Sequence, residues 1–289
     1  MDVKDLFGYE DETAVVTGAA SGIGKATAEL LVEFGAEVYG LDVKEVKVPG
    51  VKHVPMDLNK KESIELALRR LPSKVDKVFA VAGVAGVFYT GRTFDPVDVV
   101  TINFVGHRHL IENLIPRMSE GCAIAIIASI GGMGWVTNLQ NVSALLNIPG
   151  FDEARAWLEA HRDDPKVIGG PREAQRPYCF SKECLIAYAK MRSWQLAEKG
   201  IRINTVSPGI TETPMLPDFA KIVGTTVEQM GKSVLSPIGR YAKPIEQAWP
   251  LIFLNSKLAS YISGADLPVD FGFTGGAYTG QIRFPVSLG

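Results

Sequence analysis

Short, β-rich apolar runs alternate with runs at helical spacing along almost the whole chain, and this alternation is what most restricts the fold. Thr13–Thr17 reads as a buried strand. Residues 23–34 follow at helical spacing, with Ala26, Leu30, Leu31 and Phe34 on one face. Further strands are expected at 37–41, 51–56, 75–81, 123–129, 201–206 and 265–269, and helices at 62–71, 97–118, 178–198 and 245–254. The run 123–129 has no polar residue before its last position, as in strands that a parallel sheet buries on both faces. Such repetition predicts an α/β fold, a doubly wound parallel sheet of seven strands with helices on both faces. No repeat or linker divides the 289 residues. A single domain is therefore expected, interrupted at about 131–177 by a helical insert.

Bulk properties remove several classes of function. Thirty basic and thirty-two acidic side chains leave a net charge of −2, so no nucleic-acid partner and no anionic membrane surface is expected. An apolar share of 46% is too high for a disordered chain. The longest nearly apolar stretch, 122–130, falls far short of the ~20 residues that span a bilayer. Residues 1–5 are acidic and lack an apolar signal core, so a cytoplasmic protein is expected. Cys122, Cys179 and Cys184 lack metal-site spacing and read as buried thiols of a reducing compartment.

The turn after the first strand carries Gly18, Ser21, Gly22, Ile23 and Gly24 and opens directly into a helix. Glycine allows a tight turn and close backbone approach. The helix that follows aims free N–H groups and its positive dipole end at the same place. A pyrophosphate suits that field. Asp42 ends the second strand, 24 residues beyond Gly18. A carboxylate there accepts hydrogen bonds from an adenosine ribose and repels a 2′-phosphate, and residue 21 is not basic; both favour NAD over NADP. Lys44, the nearby base, reads as a solvated surface residue. Asp57, followed by Leu58, either binds an adenine amino group or caps the helix starting near residue 59 or 60.

Tyr178 and Lys182 stand four apart on an expected helix and so share a face. Ser129 ends an apolar strand at its carboxyl end, where open α/β sheets bind ligands. Asn103 interrupts an apolar helical stretch, where a buried amide needs partners.

Together these motifs resemble the short-chain dehydrogenase/reductase family. The resemblance rests on Thr17 to Gly24, Asn103, Ser129, Tyr178-x-x-x-Lys182 and Pro208-Gly209-x-x-x-Thr213, in order over nearly the entire chain. The C-terminal half looks most like bacterial 3α-hydroxysteroid dehydrogenase/carbonyl reductases and coniferyl-alcohol dehydrogenases. There are departures. The family's Asn-Asn-Ala-Gly is Ala80-Val81-Ala82-Gly83 here, so any hydrogen bonds from those Asn side chains are lost. The late Asp-Gly-Gly has Phe271 in its middle, which reads as local packing.

The resemblance implies a Rossmann-type sheet and an NAD-dependent oxidoreductase that moves a hydride directly between a substrate carbon and the nicotinamide. Tyr178 becomes the general base or acid. An unperturbed phenol has a pKa of ~10 and is a poor base at neutral pH. A Lys ammonium at ~4 Å contributes ~4 kcal/mol at an effective dielectric of ~20, roughly three pKa units. Lys182 is therefore expected to lower Tyr178 and to hold the nicotinamide ribose. Ser129 would bind the substrate oxygen. Asn103 would hold a water linking Lys182 to solvent. Ala82 and Gly83 would face the adenosine ribose, and Pro208, Gly209, Ile210 and Thr213 the carboxamide end. No metal is expected: His107 and His109 point to different sides of their helix, and His53 and His161 lie in unrelated segments.

Forty-eight residues separate Ser129 from Tyr178, where typical family members have little more than a loop. Residues 138–147 place Leu139, Val142, Leu145 and Leu146 on one helical face, and 151–161 do the same with Phe151, Ala154, Trp157 and Leu158. Asp163, Asp164 and residues 169–171 read as a solvated return loop. Met133, Trp135 and Val136 are expected to form one wall of a substrate site. Met215, Leu216, Phe219, Ile222 and Val223 are expected to form an opposing lid. The predicted substrate is a bulky hydrophobic alcohol or ketone of steroid, terpenoid or aryl type, bound at Ser129, Met133, Trp135, Tyr178, Met215 and Phe219. A primary aryl-alcohol dehydrogenase and a catalytically silent NAD(H) sensor remain as alternatives. Family subunits usually pair through the long helices, here 97–118 and 178–198. A homodimer or homotetramer is expected, with the insert capping that helical face and flanking the substrate entrance.

Overall fold

The computed structural model describes residues 3–86, 88–89, 92–169, 175–222, 224–231 and 238–282. In chain order its first elements are α1 (Val3–Phe7), β1 (Thr13–Thr17), α2 (Gly22–Glu33), β2 (Glu37–Asp42), β3 (Val51–Pro55), α3 (Lys61–Arg70) and β4 (Lys77–Ala80). A hairpin of β5 (Phe88–Tyr89) and β6 (Arg92–Thr93) leads to α4 (Pro96–Val100). A π-helical turn (Thr101–Val105) joins α4 to α5 (Gly106–Leu114). Then come β7 (Ala123–Ile127), α6 (Leu139–Leu146), α7 (Phe151–Ala160), α8 (Arg176–Leu196), β8 (Arg202–Pro208), α9 (Leu216–Ile222), α10 (Val227–Gly231), α11 (Pro244–Asn255), β9 (Asp266–Val269) and α12 (Phe273–Tyr278).

Seven strands form one parallel sheet in the order β3-β2-β1-β4-β7-β8-β9. Alternation along each strand divides the core. Val15, Val78, Ile124 and Ile126 face one side, where α3, α5 and α8 pack. Ala14, Val16, Phe79, Ala125 and Ile127 face the other, under α2 and α11. The expected Rossmann-type sheet is thus present, every expected strand appearing within two residues of its predicted ends. The small hairpin, α9, α10 and α12 had too few residues to show a period.

The helix expected at 97–118 is not continuous α. The wider turn at Thr101–Val105 carries Asn103 inward, where its amide grips the backbone of Val84.

The insert lies on its own chain. Val142, Leu145, Phe151, Ala154 and Leu158 are buried, while Leu139 remains exposed. Arg108 donates to the carbonyls of Leu145 (3.0 Å) and Gly150 (3.3 Å). Arg155 donates to Asn59 Oδ1 (3.1 Å) and Thr101 Oγ1 (3.2 Å). Asn138 donates to the buried Glu183 on α8, which also pairs with Arg176. The insert therefore caps the α4–α5 and α8 face, as expected. Residues 170 and 171 of the return loop lie outside the described residues.

Phe271 is a correction. It is 70% exposed with φ +54° rather than packed locally. Asp270 accepts from Gly272 N (2.9 Å) and Thr274 N (2.8 Å), and this tight turn at the start of α12 throws residue 271 outward.

Candidate active site

A cleft of about 740 Å³ opens at the carboxyl ends of the strands, where chain order reverses between β1 and β4. At one end the glycine turn forms the floor. Gly18 has φ +71°, and a Cβ there would stand 2.8 Å from Ala82 Cα; only a residue without a side chain lets the turns after β1 and β4 meet so closely. A Cβ on Gly24 would stand 2.2 Å from Gly18 O. Ser21, Gly22, Ile23 and Gly24 line the cleft at the start of α2, and Ser21 is the extended N-cap whose side chain makes no cap bond.

Asp42 is held to this turn. One carboxylate oxygen accepts from Ala20 N (3.2 Å) and the other from Lys44 N (2.9 Å). Asp57 and Leu58 line the wall beside it. Asp57 Oδ1 accepts from Asn59 N (2.9 Å), whereas the N-cap of α3 is Lys60, so Asp57 fixes the turn before the helix rather than capping it. Ala82 and Gly83 line the facing turn, and Pro208, Gly209, Ile210 and Thr213 continue the wall after β8. Thr213 Cγ2 lies 3.3 Å from where a Cβ on Gly22 would be, so this wall closes over the glycine turn. A backbone cradle with no room for side chains, a helix start and an anchored carboxylate fit a dinucleotide.

At the other end Ser129, Tyr178 and Lys182 converge. Ser129 caps the 3-10 turn Ile130–Val136, its Oγ accepting from Gly131 N at 3.1 Å. Tyr178 sits in the first turn of α8 and Lys182 one turn on. Lys182 is 4% exposed, donates to Ile127 O at 3.0 Å, and places Nζ 5.6 Å from the Tyr178 ring centroid. Burial pushes the Tyr178 phenol up to about 12, against the effect of a hydrogen bond with Ser129. Burial lowers the Lys182 ammonium to about 7. The expected depression of Tyr178 by Lys182 is not borne out: desolvation raises the phenol, and it is the hydrogen bond with Ser129 that lowers it. The ammonium donates to a backbone carbonyl, and the phenol's hydrogen-bond partner is the neutral Ser129 hydroxyl.

Asn103 does not line the cleft. It lies fully buried behind it, with Oδ1 accepting from Val84 N (2.9 Å) and Nδ2 donating to Val84 O (3.0 Å) and Ser181 Oγ (3.1 Å). Met215 and Phe219 line the reacting end, Phe219 edge-on to Tyr178 at 6.1 Å and 64°. Val223, the last expected lid residue, lies outside the described residues.

Met133 and Trp135 are corrections, because neither lines the cleft. The chain coils into a 3-10 turn after Ser129 instead of running on, which carries Trp135 onto α8, beneath the Lys190 ammonium at 5.8 Å. Of the segment 131–177, only Gly131 lines the cleft among the described residues. The insert helices therefore do not flank it as expected. Leu216, one of the expected lid residues, lines the cleft, whereas sequence reasoning missed Val84, Phe94, Ile102 and Ile130, which also line it. Phe94 belongs to a short irregular segment with no periodic signal. Among the described residues no group of three His, Cys, Asp or Glu could share a metal ion, and no helix is long and apolar enough to cross a membrane.

Fold and cleft together define a dinucleotide-binding α/β protein with a Ser–Tyr–Lys cluster. Residues 12–143 match a family model described as short chain dehydrogenase, and residues 167–274 match one described as Enoyl-(Acyl carrier protein) reductase. The chain belongs to the short-chain dehydrogenase/reductase family of oxidoreductases. It is 31% identical over 259 residues to the coniferyl-alcohol dehydrogenase of a Pseudomonas species, covering 89% of this chain and 94% of that one. It is 28% identical over 263 residues to the 3-alpha-hydroxysteroid dehydrogenase/carbonyl reductase of Comamonas testosteroni, covering 89% and 95%. Among solved structures, the 3-alpha-hydroxysteroid dehydrogenase from Pseudomonas sp. B-0831, complexed with NADH, matches with a TM-score of 0.73 at 29% identity, covering 94% of this chain and 100% of that chain.

Proposed function

We propose that this protein is an NAD-dependent oxidoreductase that interconverts a secondary alcohol and a ketone on a bulky hydrophobic substrate. The observation that carries this is convergence within one cleft: Ser129, Tyr178 and Lys182 at one end, the glycine turn and the anchored Asp42 at the other. When bound, NAD would supply the hydride acceptor and a positive charge. Tyr178 takes the alcohol proton in oxidation and returns it in reduction. Ser129 holds the substrate oxygen and steadies the charge that develops on it. Lys182 holds the ribose and, when charged, favours the phenolate. Asn103 positions the backbone behind Lys182. Asp42 accepts from the adenosine ribose, and Asp57 and Leu58 flank the adenine. Substrate contacts are Ser129, Tyr178, Met215 and Phe219, joined by Phe94 and Leu216; Met133 and Trp135 no longer belong to that set.

Two phenylalanine rings lining the cleft, Phe94 and Phe219, together with a coniferyl-alcohol dehydrogenase among the relatives, favour primary aryl-alcohol oxidation as the second reading. We further propose a cytoplasmic homo-oligomer, in keeping with the modest net charge and three buried free thiols.

Absorbance at the NADH band with a panel of hydrophobic alcohols and ketones tests the assignment. Turnover is expected with NAD and at least one bulky member. In Tyr178→Phe it should fall by ~10²-fold or more while NADH still binds. Near-normal turnover in that variant removes Tyr178 from the mechanism. Binding of NADH with no turnover on any panel member points to the sensor alternative.

A further inference from the structure

The strand end that approaches the adenosine ribose has no polar side chain of its own, since residues 80–83 read Ala-Val-Ala-Gly. Its backbone is nevertheless held from outside at three amides, those of residues 81, 82 and 84. Thr17 Oγ1 accepts from Val81 N (2.9 Å) and Ala82 N (3.0 Å), and Asn103 Oδ1 accepts from Val84 N (2.9 Å). Thr17 and Asn103 come from opposite sides of this turn, and one side chain joins them. His107, only 1% exposed, places Nε2 2.9 Å from Thr17 Oγ1 and Nδ1 3.1 Å from the backbone carbonyl of Asn103.

Proton bookkeeping settles the direction of these bonds. The Thr17 oxygen already accepts from two N–H groups, so its own hydrogen is the one left to give, and His107 Nε2 receives it. Nδ1 must then carry the ring proton and donate to Asn103 O, which has no hydrogen to offer. Burial keeps the ring neutral by lowering it to about 4, in agreement with a group that must accept on one nitrogen. The relay therefore runs Thr17 to His107 to Asn103. Asn103 and Lys182 both border Gly83, where a Cβ would stand 3.1 Å from Asn103 Oδ1 and 3.9 Å from Lys182 Nζ.

We propose that His107, as a neutral Nδ1–H imidazole, is a positioning residue that sets the 81–84 turn against the Asn103 turn, and so both the ribose-facing backbone and the wall behind Lys182. This rests on reading the cleft as a nicotinamide-dinucleotide site. The ring takes over work that apolar side chains at 80 and 81 cannot do.

Four measurements on the full chain test it: NADH titration by nucleotide fluorescence, melting temperature, steady-state kinetics, and 15N spectra of the histidine rings. Wild type should show His107, assigned by the signals that vanish in His107→Gln, in the Nδ1–H tautomer, unchanged between about pH 6 and 8. His107→Leu fills the volume and breaks both bonds; NADH should bind about tenfold more weakly and kcat should fall about tenfold as well. His107→Gln keeps an acceptor and a donor on one side chain and should recover both to within about threefold. Thr17→Val should reproduce the Leu loss, and the double variant should be little worse than either single one. A folded His107→Leu with wild-type NADH affinity and kcat overturns the proposal, as does an Nε2–H tautomer. If His107→Leu does not fold, Thr17→Val and the tautomer decide in the same way. If wild type itself binds neither NADH nor NAD, the dinucleotide reading fails, and the tautomer alone judges the relay.

Discussion

Lys182 is held where an ammonium loses most of its hydration, with Ile127 O as its hydrogen-bond partner. Its folded-state pKa, about 7, lies below the ordinary value for lysine. The unfolded chain therefore binds more protons than the folded chain between that value and the usual lysine range, and stability rises with pH across that window. Below it both states are protonated and the burial penalty is complete, on the order of 5 kcal/mol. Lys182→Met should raise the melting temperature of the free protein most near pH 6 to 7 and progressively less towards pH 10, while abolishing turnover. A gain that does not shrink as pH rises would show that the buried charge is not its source. The tyrosine–lysine spacing was legible because two residues four apart on a helix share a face. Their resting ionisation was not, since it depends on what else surrounds them.

The insert shows how far a helical element can be read and where reading stops. Residues 139, 142, 145 and 146, and likewise 151, 154, 157 and 158, mark faces that must be buried, and most of them are. Period alone does not say against what. Arg108, Arg155 and Glu183 decide it, by tying the two helices to α4–α5 and α8. The family resemblance implies pairing through that face, and there the insert would stand in the way of the contact. Replacing residues 138–172 with a short loop should expose it and raise the assembled mass in light scattering. The ratio of kcat/KM for bulky and small substrates should stay constant, because only Gly131 of the 131–177 segment lines the cleft among the described residues. Unchanged mass would show that the long-helix face is not an assembly surface. A changed ratio would return the insert to the substrate site.

Across the whole molecule, the cleft is assembled from the ends of β1, β2, β4, β7 and β8, so a dinucleotide binding there bridges segments far apart in sequence. Such a ligand stabilises only the folded state, by about 2.7 kcal/mol at a hundred times its dissociation constant. NADH should therefore raise the melting temperature by several degrees, and NADPH much less, if Asp42 receives the adenosine ribose as proposed. Asp42→Ser should shrink the difference by weakening NADH and relieving NADPH. Equal shifts from both coenzymes in wild type would remove Asp42 as the discriminator.

The amino-acid sequence by itself determined what is local or periodic. Alternating apolar runs specify strands and helices, a glycine turn between strand and helix specifies a phosphate cradle, and Asp42, Ser129, Tyr178 and Lys182 stand at element ends or on one helix face. These follow from fixed rises and periods of the backbone. Only the tertiary structure decided what depends on neighbours distant in the chain. It turned Trp135 onto α8 and brought Phe94 into the cleft. It joined Thr17 and Asn103 through His107, ninety residues from Thr17. It also set burial, which moves the pKa of Tyr178 up and that of Lys182 down. Direction, partner and hydration belong to the packed interior, and no window of sequence contains it.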